Sequence, residues 1–209
     1  MKIFSIEEVA IEVLEYSISY VELIGTLFGF ISVYLASRGN ILTWAAGIVN
    51  ELFLFLLFFQ LQLYPDMMLQ LFFFVTTLYG WYQWGQKVNP LGITKLNLRK
   101  RLIVGATIII GTLVSGLLFS CIHLILPQLF KLSAAYPFAD SFVMVSSIAA
   151  TILLIKKKLD NWFLWIAIDI VCVFIYLKKG IYFLSLEYFI FLGLAIYGMI
   201  HWRKRLTHG

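Results

Sequence analysis

Apolar residues run along this chain in blocks rather than stripes. Seven blocks, at about 20–37, 41–62, 66–86, 102–126, 138–155, 160–178 and 181–202, each approach the roughly 20 residues a helix needs to cross a bilayer. Turn and breaker residues separate them: S-R-G-N at 37–40, Pro65, N-P-L-G at 89–92, Pro127, Pro137, K-K-K-L-D at 156–160 and K-K-G at 178–180. Ahead of the first block, residues 5–17 (S-I-E-E-V-A-I-E-V-L-E-Y-S) carry acids and aliphatics at helical spacing. They predict a short amphipathic helix lying on the membrane surface, too acidic to span it.

Composition turns the block pattern into a class. Of 209 residues 62% are apolar and 13% charged, which a soluble domain of this size could not sustain, so the chain reads as an all-α polytopic membrane protein. The net charge of +5 resides in short loops, where it orients the protein and implies no nucleic-acid partner. With the N-terminus outside, Arg38, Lys87, Lys95, Arg99, Lys100, Arg101, Lys156, Lys157, Lys158, Arg203, Lys204 and Arg205 fall on the cytoplasmic side. Only Lys2, Lys131, Lys178 and Lys179 fall outside, so N-out and C-in is expected. The N-terminus lacks the pattern of a cleaved leader. Cys121 and Cys172 lie in apolar runs with no metal-ligand spacing, so neither metal nor cofactor is expected.

Sliding the chain against itself by 118 residues pairs Glu22 with Asp140, Trp44 with Trp162, Glu51 with Asp169 and Tyr64 with Tyr182. It also lays Y-G-x-x-x-W (79–84) on Y-G-x-x-x-W (197–202). The expected organisation follows: a surface helix (1–19), a first three-helix repeat (20–86), a loop and connector helix (87–137), a second repeat (138–202) and a cytoplasmic tail (203–209). An odd connector makes the two triplets parallel, a 3+1+3 arrangement of the kind transporters use, with the substrate site between the halves near the midplane.

The candidate chemistry centres on Trp162, Trp165 and Asp169, which share one helix face in N-W-F-L-W-I-A-I-D. Asp169 stands about nine residues into its block, where a carboxylate is costly and by default faces a cavity, a partner or a transport path. Trp44, Gly47 and Glu51 are the counterparts in the first repeat, so one half offers an indole where the other offers only space. Asn50, Gln70 and Glu187 supply amides and an acid to bond hydroxyl groups. Each has a plainer reading. Tryptophans near a helix start are ordinarily interfacial anchors, which suits Trp162 better than the deeper Trp165. Glu51 and Asp169 can be structural, Glu22 and Asp140 solvated or capping, and Asp66 a first-turn residue. His123 stands alone, Gly25 and Gly29 suit close helix packing, and the phenylalanine runs suit a lipid-facing surface. No nucleophile, base or phosphate loop is arranged for catalysis, which weakens an intramembrane enzyme. A membrane receptor would need an output domain.

V-E-L-I-G-T (21–26), F-F-Q-L-Q-L-Y (58–64), L-Q-L-F-F-F (69–74), Y-G-W-Y-Q-W (79–84), the N-W-F-L-W-I-A-I-D stretch and S-L-E-Y (185–188) together resemble the Pnu-type vitamin transporters, from about Val21 to Trp202. The resemblance implies a fold like that of full-length SWEET transporters, a bacterial inner-membrane location and a homotrimer. It also implies facilitated diffusion of nicotinamide riboside, with a cytoplasmic riboside kinase trapping the product. The family pattern W-x-x-W-x-x-x-(N/D) falls on Trp162, Trp165 and Asp169 with the acidic option. Thiamine or another cationic aromatic vitamin, or an ion-coupled version of the same carrier, are the alternatives it leaves.

Overall fold

A computed structural model describes residues 5, 8–13, 16–60, 64–86, 92–125, 136–178, 180 and 182–207. Lys2, Lys87, Asn89, Pro90, Pro127, Lys131 and Lys179 lie outside the described residues, as do the side chains of Pro65, Asp66 and His123. Seven helices carry the fold: α1 Tyr20–Ser37, α2 Leu42–Gln60, α3 Tyr64–Trp84, α4 Leu98–Ile125, α5 Pro137–Ile155, α6 Asn161–Lys178 and α7 Tyr182–Thr207. Six of them are long and apolar enough to cross a membrane. The exception, α3, has the length, but its hydropathy is lowered by polar residues such as Gln70 and Thr77, both of which are buried. Its exposed face is apolar, with Leu71, Phe72, Val75, Leu78, Trp81 and Tyr82 turned outward.

The expected N-terminal amphipathic helix is not formed. Val9–Val13 (β1) and Tyr16–Ser19 (β2) pair antiparallel instead, with Ile11 opposite Ile18 and Glu12 opposite Ser17. The same residues also alternate with period two, and β-branched Val9, Ile11, Val13 and Ile18 favour the strand once a partner strand is present. Ser19 then ends β2 and caps α1, its hydroxyl accepting the Glu22 amide at 3.2 Å. Two boundaries also move. Helix α4 starts at Leu98, where the Asn97 side chain accepts the Lys100 amide at 2.9 Å, and takes the basic 99–101 run into its first turn. Helix α7 continues through Arg203, Lys204 and Arg205 to Thr207, so most of the expected tail is helical.

Residues 118 apart make the same local bonds. Helix α1 ends with Gly39 N–H donating to Ala36 O (2.8 Å) and Asn40 N–H to Leu35 O (2.9 Å). Helix α5 ends with Lys157 N–H donating to Leu154 O (2.9 Å) and Lys158 N–H to Leu153 O (2.8 Å). Each turn needs a left-handed residue: Gly39 at φ 66° in the first, Lys157 at φ 46° in the second. Both turns deliver the chain into a helix whose first core residue is a tryptophan, Trp44 or Trp162.

The 92–97 segment is stitched to the α5–α6 turn. Thr94 forms a parallel bridge with Lys158, and Asp160 accepts the Leu96 amide and the Arg101 Nε–H, both at 2.7 Å. Arg101 is about half exposed, so screening leaves the amide bond as the larger contribution. Asp160→Ala strands that amide and is expected to cost about 1–3 kcal/mol. A thermal midpoint in detergent equal to that of the parent would show that this clamp contributes nothing.

Candidate functional site

The core at the basic end of the bundle is built from four tryptophans on α2, α3, α6 and α7. Trp44 meets Trp84 edge-on (5.2 Å between ring centroids, 86°), and Trp162 meets Trp202 in the same way (5.5 Å, 87°). Glycines make room for them. A Cβ on Gly80 would lie 2.5 Å from the Trp44 ring, and one on Gly198 would lie 2.7 Å from the Trp162 ring. Trp84 of α3 reaches the end of α5, and Trp202 of α7 reaches the end of α1. The Trp84 indole N–H donates to Ile155 O at 3.0 Å, and the Trp202 indole N–H donates to Ala36 O at 3.1 Å. Lys157 places its ammonium 4.5 Å above the Trp84 ring. Burial first, and the Arg205 charge second, lowers the Lys157 pKa below the usual lysine value.

The paired-indole reading of the site therefore divides. Trp162 is 1% exposed and Trp44 4%, both sealed against glycine faces, so in this structure they are packing residues and present no open wall. Trp165 is only partly buried. It touches both the tryptophan core and a second cluster around Ala150, Ile168 and Cys172. One turn further along α6, Asp169 is buried close to Tyr188, which stacks on Tyr176 at 5.4 Å. Tyr188 in turn lies 6.1 Å from Phe191, and Phe191 lies 4.8 Å from Phe30 of α1, so aromatic contact runs from α6 through α7 to α1.

Acids and amides on α2 and α7 have partners within the protein. Glu51 is buried, and one of its carboxyl oxygens accepts the Thr77 hydroxyl at 2.5 Å. Asn50 donates its amide to Gly25 O at 2.8 Å, which explains the tight α1–α2 approach at Gly25 and Gly29. That bond occupies one arm of the amide expected to serve a ligand. Gln70 is buried on α3, and Glu187 is half-buried on α7 with a hydrogen bond to Thr26 of α1. Thr26, Thr77 and Tyr188 were not among the sequence candidates. Threonine hydroxyls in apolar helices commonly bond their own backbone, so nothing in the sequence marks Thr26 and Thr77 as acid partners.

Basic residues are missing from the stretches of sequence that hold these groups. From 39 to 86, 137 to 155, 159 to 177 and 180 to 202 the chain has neither lysine nor arginine. Among the described residues no cluster of His, Cys, Asp and Glu could hold a metal ion. A flat cationic ligand with hydroxyl groups fits this chemistry and an anion does not.

Comparison with known proteins gives the same direction. A family model described as nicotinamide mononucleotide transporter matches residues 19–204. The nicotinamide riboside transporter PnuC of Escherichia coli (strain K12) is 32% identical, over 97% of this chain and 94% of its own length. The riboflavin/roseoflavin transporter RibM of Streptomyces davaonensis is 27% identical, over 88% of this chain and 84% of its own length. A crystal structure of the vitamin B3 transporter PnuC superposes with a TM-score of 0.68 at 23% identity, over 90% of this chain and 83% of that one, which establishes the fold. With apolar helices of spanning length and a family match over residues 19–204, this chain belongs to the nicotinamide mononucleotide transporter family of membrane proteins.

Proposed function

We propose that the protein carries nicotinamide riboside across the bacterial inner membrane by facilitated diffusion, with its N-terminus outside and its C-terminus in the cytoplasm. The observation that carries this reading is Trp165, a partly buried indole one turn from the buried Asp169. A pyridinium ring stacked on Trp165 gains about 2 kcal/mol when water is excluded, and Asp169 supplies the complementary charge or acceptor. Glu51, Asn50, Gln70 and Glu187 take the ribose hydroxyls, while Trp162 and Trp44 hold the helices that present them.

Transport needs the site to open to each side in turn, and the two triplets of a 3+1+3, SWEET-like arrangement rock against one another to do so. The reciprocal Trp84 and Trp202 bonds close the basic, cytoplasmic end and have to break for release. A homotrimer, and a cytoplasmic riboside kinase that traps the product, complete the reading on the strength of the family likeness.

The family is described by the mononucleotide, yet a phosphate would bring negative charge toward Glu51, Asp169 and Glu187 with no lysine or arginine to offset it. A binding panel on the purified protein tests this. Nicotinamide riboside should bind, and nicotinamide mononucleotide should bind at least about tenfold more weakly, the equivalent of about 1.4 kcal/mol. Preference for the mononucleotide, for thiamine or for riboflavin would replace the proposed substrate. Uptake of the riboside into proteoliposomes without an imposed ion gradient would support facilitated diffusion.

A further inference from the structure

Between α4, α5 and α6 lies a cavity of about 330 Å³, outside the proposed transport site. Arg101, Val104, Gly105 and Ile108 line it from α4, at the i, i+3, i+4, i+7 spacing of one helix face. Phe163 and Leu164 line it from α6, on the side opposite Trp162, Trp165 and Asp169. Arg101 and Asp160 are the two polar side chains in its lining, and the rest is hydrocarbon. Ile108 and Leu153 are buried while Phe163 is 52% exposed, so the cavity has an apolar floor and reaches the outer surface of the bundle. A Cβ added at Gly105 would meet no heavy atom within 4 Å among the described residues, which leaves a notch in α4 at this level.

The charge at one end of this cavity is positive. The apolar span of α4 begins at Leu98, so Arg99, Lys100 and Arg101 stand where the helix leaves the hydrocarbon for the headgroup layer. Lys95 adds a fourth base, and the chain carries no acid from 67 to 139. Asp160 is the acid at the cavity, and it is already engaged, accepting the Leu96 N–H and the Arg101 Nε–H at 2.7 Å each. The two terminal nitrogens of the Arg101 guanidinium make no hydrogen bond among the described residues, and the side chain is about half exposed. Water gains little in an apolar cavity, a free anion makes no use of its walls, and a plain hydrocarbon makes no use of Arg101. A molecule that joins an alkyl chain to a phosphate uses both. We infer that the cavity is a binding site for an anionic phospholipid, with one acyl chain in the Gly105 notch and the phosphate on Arg101, beside Lys100. The chain fills the space between α4 and α6.

Native mass spectrometry of the full-length protein, stripped of lipid in neutral detergent, tests this with three probes. Phosphatidylglycerol should bind about tenfold more tightly in its first step than phosphatidylcholine of the same chains, whose choline offsets the phosphate charge. Inorganic phosphate should neither stay bound nor displace the lipid. Gly105→Phe puts a ring into the notch, where its Cβ meets no obstacle, and should abolish tight binding of phosphatidylglycerol. Arg101→Gln keeps a donor for Asp160 but removes the cation, and should lose most of the preference over phosphatidylcholine. The two variants remove the chain contact and the headgroup contact separately, so misfolding of one leaves the other as the test. Equal affinity of the parent for both lipids, or a preference that survives in either folded variant, would overturn the site. So would displacement of the lipid by inorganic phosphate, which would mark a free-anion site. An assembly of copies that Gly105→Phe splits in the absence of lipid would overturn it too, by giving this face to a second copy of the chain.

Discussion

Gly198→Ala is expected to lower the thermal midpoint of the detergent-solubilised protein by several degrees. The added Cβ would lie 2.7 Å from two carbons of the Trp162 ring, nearer than carbon atoms approach without something moving. That ring has nowhere to go. Trp162 is 1% exposed and its other side meets Trp202, which is itself fixed by the bond to Ala36 O. Overpacking of this kind costs about 1–3 kcal/mol, and a chain of this size loses about 2–4 °C per kcal/mol. Gly80→Ala should behave alike, since its Cβ would meet the Trp44 ring at 2.5 Å. Gly193→Ala is the control, because among the described residues no heavy atom outside the local helix lies within 4 Å of the Cβ it would add. Equal midpoints for Gly198→Ala and Gly193→Ala would mean that the indoles yield, and that the tight fit holds nothing together.

Loss of riboside affinity on Trp165→Ala is the second large effect. A desolvated cation–π contact worth about 2 kcal/mol corresponds to a dissociation constant roughly 30-fold higher, and Trp165→Phe should keep part of it. Trp162→Ala should differ in kind. It empties a sealed position and is expected to destabilise the fold by about 3–5 kcal/mol. Calorimetry alongside thermal denaturation separates the two, because Trp165→Ala should change affinity more than stability. Unchanged affinity in Trp165→Ala would remove this residue from the site and leave the carrier reading without its central observation.

The contrasting surroundings of these neighbouring tryptophans were only partly legible in the sequence, which set Trp165 deeper than Trp162 but named no neighbour for either. Residues three apart on a helix differ by about 60° in direction, close enough to share a face and far enough to meet different neighbours. Trp162 finds Gly198 and Trp202, whereas Trp165 lies between two clusters. Glu51 shows the same limit. Its burial was expected from its place in an apolar run, but its partner Thr77 is 26 residues away and belongs to a residue type with many local uses.

By itself the sequence determined the number and approximate placement of the seven long apolar helices. An apolar run of bilayer length has to satisfy its backbone internally, and Gly, Pro and basic residues end such runs locally. The 118-residue offset was legible for the same reason, because matched turns such as 36–40 and 154–158 depend on nearby residues. Only the tertiary structure decided the rest. It turned 9–13 and 16–19 into a hairpin, because a strand gains its bonds from a partner and not from its own residues. It also brought Trp84 to Ile155, across 71 residues, and Trp202 to Ala36, across 166, closing one end of the bundle with contacts to which no local pattern points.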